Sequence, residues 1–223
     1  MPRRSGKSIE PAAAPAARER GGVTGNAART GFDLEHGPMT LLDRLETIFG
    51  RDRRRGRAAA RTLYARIVEA ARHDYFYRAR GVPDTLDGRF ELVALHTVLV
   101  CRRLAAEGAA GAESGQYLFD VMIEDLDVNL RELGVNDPSL GRRVKEMARA
   151  FYGRRDAYAG ALDSGDRAAL ELAVARNLYG TLEPTPENVV WAADYIEAAA
   201  QGLDSLPLSA VAGADVRFPE PAS

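Results

Sequence analysis

The stretch Leu92-Val93-Ala94-Leu95-His96-Thr97-Val98-Leu99-Val100-Cys101 decides the fold. Its side chains are apolar around almost the whole circumference of a helix, which indicates a helix that other helices surround. These ten residues are too few to cross a bilayer, since a spanning helix takes about 20 apolar residues. Charged residues bound the run, with Glu91 before it and Arg102 after it. We therefore predict a buried central helix and no transmembrane segment.

Amphipathic helical patterns flank the central helix on both sides, with apolar residues three and four positions apart. The predicted helices are 40–49, 58–73, 87–107, 115–133, 139–162, one from the cap at 163–166 to 179, and 187–201. Gly50 should end the first of them, and the charged run 51–57 is a connector or the start of the next helix. No alternating strand pattern or internal repeat is present. We predict an all-α protein, an irregular bundle of six to seven helices in a single domain over residues 39–205.

The two ends of the chain have different compositions from the centre. Residues 1–38 are rich in Pro, Ala and Gly and hold almost no large apolar side chains, so we expect a disordered leader. They lack the apolar run of a secretory signal, and a credible helix follows Met39 at once. Our hypothesis is that Met39 is the true start, or at least the structured one. Residues 206–223 contain three prolines, and we expect a flexible tail.

Composition excludes several classes of protein. The chain has 30 basic and 32 acidic residues, a net charge of -2, which argues against a protein that is basic throughout. The charge is unevenly placed, with a net +6 over residues 39–80 and a net -7 over residues 81–138. These two parts attract each other inside the fold, or the basic part meets RNA or lipid headgroups. The single cysteine, Cys101, excludes an intramolecular disulfide framework and any multi-cysteine metal site within one chain.

Residues that could carry chemistry are few. The sequence holds no phosphate loop and no dinucleotide glycine fingerprint. His96 could be a general base, but a hydrogen-bonded core histidine is the simpler interpretation, and Cys101 is most simply a small hydrophobic residue. The acidic side chains of one predicted helix could suggest a metal site, although a di-iron bundle needs Glu-x-x-His pairs, and none is present. These acidic residues are Asp120, Glu124, Asp125 and Asp127. We predict a solvated or partner-binding acidic face, with no metal, no cofactor and no catalytic residue.

Two other surface features stand out. Tyr75-Phe76-Tyr77 either packs the end of the bundle or binds a ligand ring. The helix 139–162 carries Arg142, Lys145 and Arg149 opposite its apolar face, which predicts an outward basic stripe.

The stretch from Gly81 to Leu92, Gly-Val-Pro-Asp-Thr-Leu-Asp-Gly-Arg-Phe-Glu-Leu, resembles a signature of the ubiquinol–cytochrome c chaperone family. Six further blocks follow in the order and spacing expected of that family. They are Leu95-His96, Arg102-Arg103-Leu104, Leu118 to Met122, Asp125-Leu126-Asp127, Leu130 to Val135, and Val144 to Arg154. The resemblance covers residues 63–178, and none of its blocks is a catalytic motif.

The resemblance implies a helical chaperone without enzymatic activity. Mitochondrial members of that family assemble ubiquinol–cytochrome c reductase, respiratory complex III, act on newly made cytochrome b, and in some cases associate with the ribosome. With 28 arginines, two lysines and abundant alanine, the chain has the amino-acid composition expected of a protein encoded by a GC-rich bacterial genome. It lacks a convincing transit peptide or membrane anchor. We therefore expect a bacterial relative that acts in the cytoplasm, peripherally at the inner membrane.

A chaperone of this kind needs an apolar groove with charges at its rim. Our candidate client-binding residues are Tyr75, Phe76, Tyr77, Val82, Pro83, Asp84, Arg89, Asp120, Asp125 and Asp127. The candidate contacts to ribosomal RNA or anionic lipid are Arg53, Arg54, Arg55 and Arg57. Two alternatives remain open. One is a small-ligand-binding protein or enzyme with a pocket near His96 and Tyr75, and the other is a ribosome- or nucleic-acid-binding protein that uses Arg51 to Arg66.

Overall fold

The structure is a computed structural model. It describes the backbone of residues 41–135, 137–180 and 182–221, and the side chains of these residues except 41–52, 137 and 138. The predicted leader over residues 1–38 and the hypothesis of a start at Met39 lie outside the described residues.

Helices account for all the regular secondary structure of the described residues, which contain no strand. In chain order the helices are α1 (Leu41–Ala71), α2 (Asp74–Arg78), α3 (Leu86–Ala105), α4 (Ala109–Glu132), α5 (Asp137–Ser164), α6 (Arg167–Asn177), α7 (Pro186–Asp204) and α8 (Leu208–Ala212). Six of them are long, and α2 and α8 have five residues each. The predicted all-α bundle is confirmed.

The central helix is α3. It packs against α1, α4, α5 and α7, and most of its side chains between Phe90 and Leu104 are buried. Its first turn is capped by Thr85, whose hydroxyl accepts a hydrogen bond from the Gly88 backbone N–H at 3.1 Å. Gly108, with φ of 73°, lies in the left-handed region just beyond its end. The predicted span of 87–107 agrees with the structure to within two residues at each end.

One predicted interruption is absent from the structure. The helix does not end at Gly50. Instead, α1 continues through Gly50 and the arginine-rich segment that follows it. A glycine inside a helix costs only about 1 kcal/mol, which tertiary packing outweighs. The arginine-rich segment packs closely on α4 at Gly56. A β-carbon at this position would lie only 2.6 Å from the ring of Tyr117, so the glycine allows the close approach. Arg57 forms an ion pair with Glu124 of α4, so part of the basic region meets the acidic region inside the fold.

The segment after α7 also differs from the predicted flexible tail over 206–223. It forms α8 and packs on α1 and α3, and Val211 is fully buried. The Phe218 ring lies edge-on to His96 with a centroid separation of 4.7 Å. Its prolines end helical structure without preventing packing, because the apolar side chains between them reach the core.

Candidate functional site

The loop before α3 is built by the residues of the quoted signature. Arg89 donates a hydrogen bond from Nε to the Asp84 carboxylate at 2.7 Å, and this bond lowers the pKa of Asp84. Gly88 leaves room for the loop to turn back on the helix, since a β-carbon there would clash with the Pro83 carbonyl oxygen. Val82 anchors the loop, with its backbone N–H bonded to the Phe76 carbonyl at 3.0 Å. The signature therefore encodes one rigid loop-to-helix junction.

A groove lies on one side of this junction, between α1, α2, the start of α3 and the end of α4. Its volume is about 660 Å³. We call it the client groove because several of the residues predicted to bind a client line it. It is lined by Tyr64, Val68, Ala71, Arg72, Asp74, Tyr77, Arg78, Asp84, Leu86, Arg89, Phe90, Val93, Asp125, Leu126, Asn129, Glu132 and Leu133.

The wall of the client groove holds a hydrogen-bonded polar cluster centred on Asp125. Tyr64 donates its hydroxyl to Oδ2 of Asp125 at 2.9 Å, and the Asn129 amide donates to the same oxygen at 3.0 Å. Burial raises the pKa of Tyr64, and the neighbouring charge of Asp125 raises it further. Tyr64 is therefore a neutral donor at physiological pH, and the carboxylate is fixed in position from two helices.

The remaining lining is apolar at the floor and charged at the rim. Phe90 and Leu126 are buried there, whereas Leu133 at the end of α4 exposes 63% of its surface. Four carboxylates and three guanidinium groups line the groove. Tyr77 points its hydroxyl to the Ala71 carbonyl at 3.0 Å, which leaves its ring available as part of the wall. Such a lining suits an apolar segment flanked by charged residues.

The structure brings four of the predicted client-binding residues together in this groove: Tyr77, Asp84, Arg89 and Asp125. Phe76 and Val82 are buried, with 1% and 2% of their surface exposed to solvent. The Phe76 ring packs edge-on against Tyr195 with a centroid separation of 5.1 Å. The prediction that Phe76 and Val82 form a binding surface is therefore wrong, because α2 turns the Phe76 side chain inward and the loop before α3 buries Val82.

Tyr75 belongs to a different cluster, which sequence reasoning missed. The Arg80 guanidinium lies 4.6 Å from the Trp191 ring and 5.2 Å from the Tyr75 ring. It also donates to the Tyr75 hydroxyl at 2.9 Å. The cation–π contacts join the loop before α3 to α7 and make Tyr75 a packing residue.

The other predicted residues lie outside the client groove. Asp120 accepts a hydrogen bond from Gln116 at 2.8 Å, and Asp127 pairs with Arg131 at 2.8 Å, both within α4. Pro83 lines a second cavity of about 640 Å³ on the opposite side of the α3 start. That cavity contains the pair formed by Glu91 and Arg154, in which Arg154 Nε donates to Oε2 at 2.6 Å.

His96 is a fully buried core residue. Its Nδ1 lies 2.7 Å from the Leu92 carbonyl oxygen and its Nε2 lies 2.8 Å from the Tyr195 hydroxyl. Nδ1 is therefore the donor, and Nε2 accepts from Tyr195. Burial lowers the pKa of His96 to about 4, so the ring is neutral at physiological pH. Both ring nitrogens are occupied, which agrees with the predicted hydrogen-bonded core histidine.

The predicted RNA or lipid contacts on α1 divide into two groups. Arg53, Arg54 and Arg55 are exposed and make no ion pair with any described residue, whereas Arg57 is bound to Glu124. The role assigned to them stays a prediction. Among the described residues, no group of three or more His, Cys, Asp or Glu side chains could hold a metal ion. In the same part of the chain, no helix is both long and apolar enough to cross a membrane.

Sequence reasoning missed Tyr64 and Asn129, which fix Asp125 in the wall of the groove. Tyr64 is 61 positions from Asp125, and no local pattern links them. A signal for Asn129 exists, since it follows Asp125 by four residues on the same helix.

Comparison with known proteins places this architecture in a family. The family model described as "Ubiquinol-cytochrome C chaperone" matches residues 78–218. The chain is 29% identical over 148 residues to ubiquinol-cytochrome-c reductase complex assembly factor 1 of Xenopus laevis, an alignment that covers 66% of this chain and 74% of the frog protein. It is also 29% identical over 150 residues to the assembly factor 1 of Drosophila melanogaster, covering 65% of this chain and 58% of the fly protein.

A solved structure shows the same fold. The crystal structure of the Cbp3 homolog from Brucella abortus matches with a TM-score of 0.68 and 34% sequence identity, over 79% of this chain and 97% of that chain. The family model spans the signature loop, the central helix and the packed segment after α7. The chain belongs to the ubiquinol–cytochrome c chaperone family.

Proposed function

We propose that this chain is an assembly chaperone for ubiquinol–cytochrome c reductase, respiratory complex III, and that its client is newly made cytochrome b. Family membership supports the assembly role, since the relatives are themselves named reductase complex assembly factors. The observation that carries the binding role is the client groove, which combines an apolar floor with a charged rim beside the signature loop. The proposed role is binding, without a catalytic step, on the cytoplasmic side of the inner membrane.

The groove chemistry suits a membrane protein before insertion or assembly. Transmembrane segments are apolar, and their cytoplasmic loops carry an excess of Lys and Arg. The apolar floor around Phe90, Val93 and Leu126 would cover part of such a segment, which removes its surface from water. Asp125 at the wall and Asp84 at the rim would meet basic residues of the loops. Asp120 and Asp127 lie outside the groove, so this proposal does not use them.

Leu133 offers a direct test, because it lines the groove and is largely exposed, so its replacement should leave the core intact. Leu133→Glu replaces an exposed apolar side chain of the groove with a carboxylate, which is costly to bury against an apolar client segment, so co-purification of cytochrome b with the tagged protein should fall by about tenfold or more. Leu172→Glu is the matched control, since Leu172 exposes 70% of its surface on α6 and does not line the groove.

The expected result is loss of cytochrome b with Leu133→Glu and normal recovery with Leu172→Glu, at equal thermal stability of both variants. Equal recovery of cytochrome b by both variants would exclude the groove as the client site. Absence of cytochrome b from the unmodified protein's complexes would overturn the choice of client.

A further inference from the structure

Helix α5 presents a set of cations that the fold itself does not use. Arg142, Lys145 and Arg149 are exposed and lie three and four positions apart, so they share one face of the helix. None of the three forms an ion pair with any described residue. By contrast, Arg143 and Arg154 on the inner side of the same helix are paired with Asp87 and Glu91 of α3. We call the three unpaired cations the basic face.

The other charged residues of the same stretch of α5 do not balance the basic face. Residues 139–156 hold six basic and two acidic side chains. Each of the two acidic groups has a nearby partner, since Glu146 lies 4.0 Å from Arg143 and Asp156 lies 2.9 Å from Arg155. A strip of positive charge therefore runs along α5 between positions 142 and 149. Its length is about 10 Å, given the helical rise of about 1.5 Å per residue.

An aromatic residue continues the strip. Tyr152 lies three positions beyond Arg149 and exposes 40% of its surface. Its ring packs against Phe119 at a centroid separation of 5.2 Å, and the Arg155 guanidinium lies 5.0 Å from its centre. These neighbours occupy the ring, so it is not a free platform for stacking a nucleic-acid base. A half-exposed tyrosine beside cations is instead typical of side chains that sit at the membrane–water interface.

We propose that the basic face and Tyr152 bind the surface of an anionic lipid bilayer, with α5 lying parallel to it. Three unpaired cations on one straight helix face can reach lipid phosphates in one plane. No helix among the described residues is able to span a membrane, so attachment through this part of the chain would be peripheral. This inference does not depend on which protein occupies the client groove, which is lined by residues of α1 to α4 and the loops beside them.

Vesicle co-sedimentation of the full chain tests the proposal. Vesicles of phosphatidylcholine with phosphatidylglycerol should bind the protein at low salt, and phosphatidylcholine vesicles should not. Since each cation near an anionic surface contributes about fivefold to binding, the triple variant Arg142→Gln, Lys145→Gln, Arg149→Gln should bind about a hundredfold more weakly. The substitutions fall at exposed, unpaired positions, so the fold should be unchanged.

A second triple variant serves as the control of net charge. Arg66→Gln, Arg176→Gln and Arg217→Gln also remove three exposed cations, and these lie outside the client groove and are scattered along the chain. Of the three, only Arg66 has an ion-pair partner among the described residues, the exposed Glu69. This variant should retain most of the binding, as should a variant with Arg53, Arg54 and Arg55 changed to Gln. Equal weakening by all three variants would mean that only net charge matters and would overturn the proposal. So would loss confined to the α1 variant, or no binding to anionic vesicles at all.

A single-stranded RNA binding assay separates the other class of anionic partner. The proposal predicts that the α5 triple variant and the unmodified chain bind RNA equally weakly. Strong RNA binding that the α5 variant loses would assign the basic face to nucleic acid instead.

Discussion

Acidification should destabilise the protein through His96. The unfolded imidazole takes up a proton near the ordinary pKa of 6.5, whereas burial lowers the pKa of the folded residue to about 4. Protons therefore bind the unfolded state preferentially as pH falls through 6.5, and the stability contributed by the neutral, buried ring is progressively lost down to pH about 4. Above pH 6.5 the contribution is fully present.

The size of the effect follows from the two pKa values. Between about pH 7.5 and about pH 5, the difference in proton uptake should lower the free energy of unfolding by about 2 kcal/mol. His96→Gln removes the titrating group. Between the two pH values, the free energy of unfolding of this variant should therefore fall by about 2 kcal/mol less than that of the unmodified protein. Urea unfolding followed by circular dichroism at both pH values measures this difference. The other titrating groups cancel in the comparison.

A control separates burial from hydrogen bonding as the cause. Tyr195→Phe removes the donor to Nε2 but leaves His96 buried, so most of the pH dependence should remain while stability falls by about 1 kcal/mol. If His96→Gln loses as much stability on acidification as the unmodified protein, His96 is not a buried neutral residue and the reasoning fails.

Three further changes should affect stability, each measurable by thermal or urea unfolding. Glu91→Gln leaves Arg154 largely buried without its charged partner and should cost about 3 kcal/mol, whereas a cost near zero would show the pair to be dispensable. Gly88→Ala places a β-carbon against the Pro83 carbonyl oxygen and should cost about 2 kcal/mol or more, and an unchanged melting temperature would refute the tight junction. Phe218→Ala should cost about 2 kcal/mol because the segment after α7 is packed, and a neutral result would mean that it is loose.

Periodicity predicts helices and buried faces well where the apolar pattern is local. The run from Leu92 to Cys101 could only be a surrounded helix, and α3 is one. Local sequence signals predict the structure wrongly where tertiary contacts determine it. Gly50 and the arginines after it look like a helix end, but α1 continues through them, and Gly56 and Arg57 contact α4. The prolines after residue 206 look like a loose tail, but Val211 and Phe218 hold that segment on the core.

The candidate site could be predicted only in part for the same reason. The signature loop is contiguous, so Asp84 and Arg89 could be identified from the sequence and do line the groove. Which of three consecutive aromatic residues faces the groove depends on how α2 turns, and this places Tyr77 outside and Phe76 inside. The link between Tyr64 and Asp125 joins two helices distant in sequence, and it needs the structure to be seen.

The most direct test of the central claim is a reduced-minus-oxidised haem spectrum of membranes from a strain that lacks the gene. The account predicts loss of the cytochrome b signal of complex III. Restoring the unmodified chain or Leu172→Glu should recover the signal, and restoring Leu133→Glu should not. A normal cytochrome b signal in the deletion strain, with normal quinol–cytochrome c activity, would contradict the proposed assembly role.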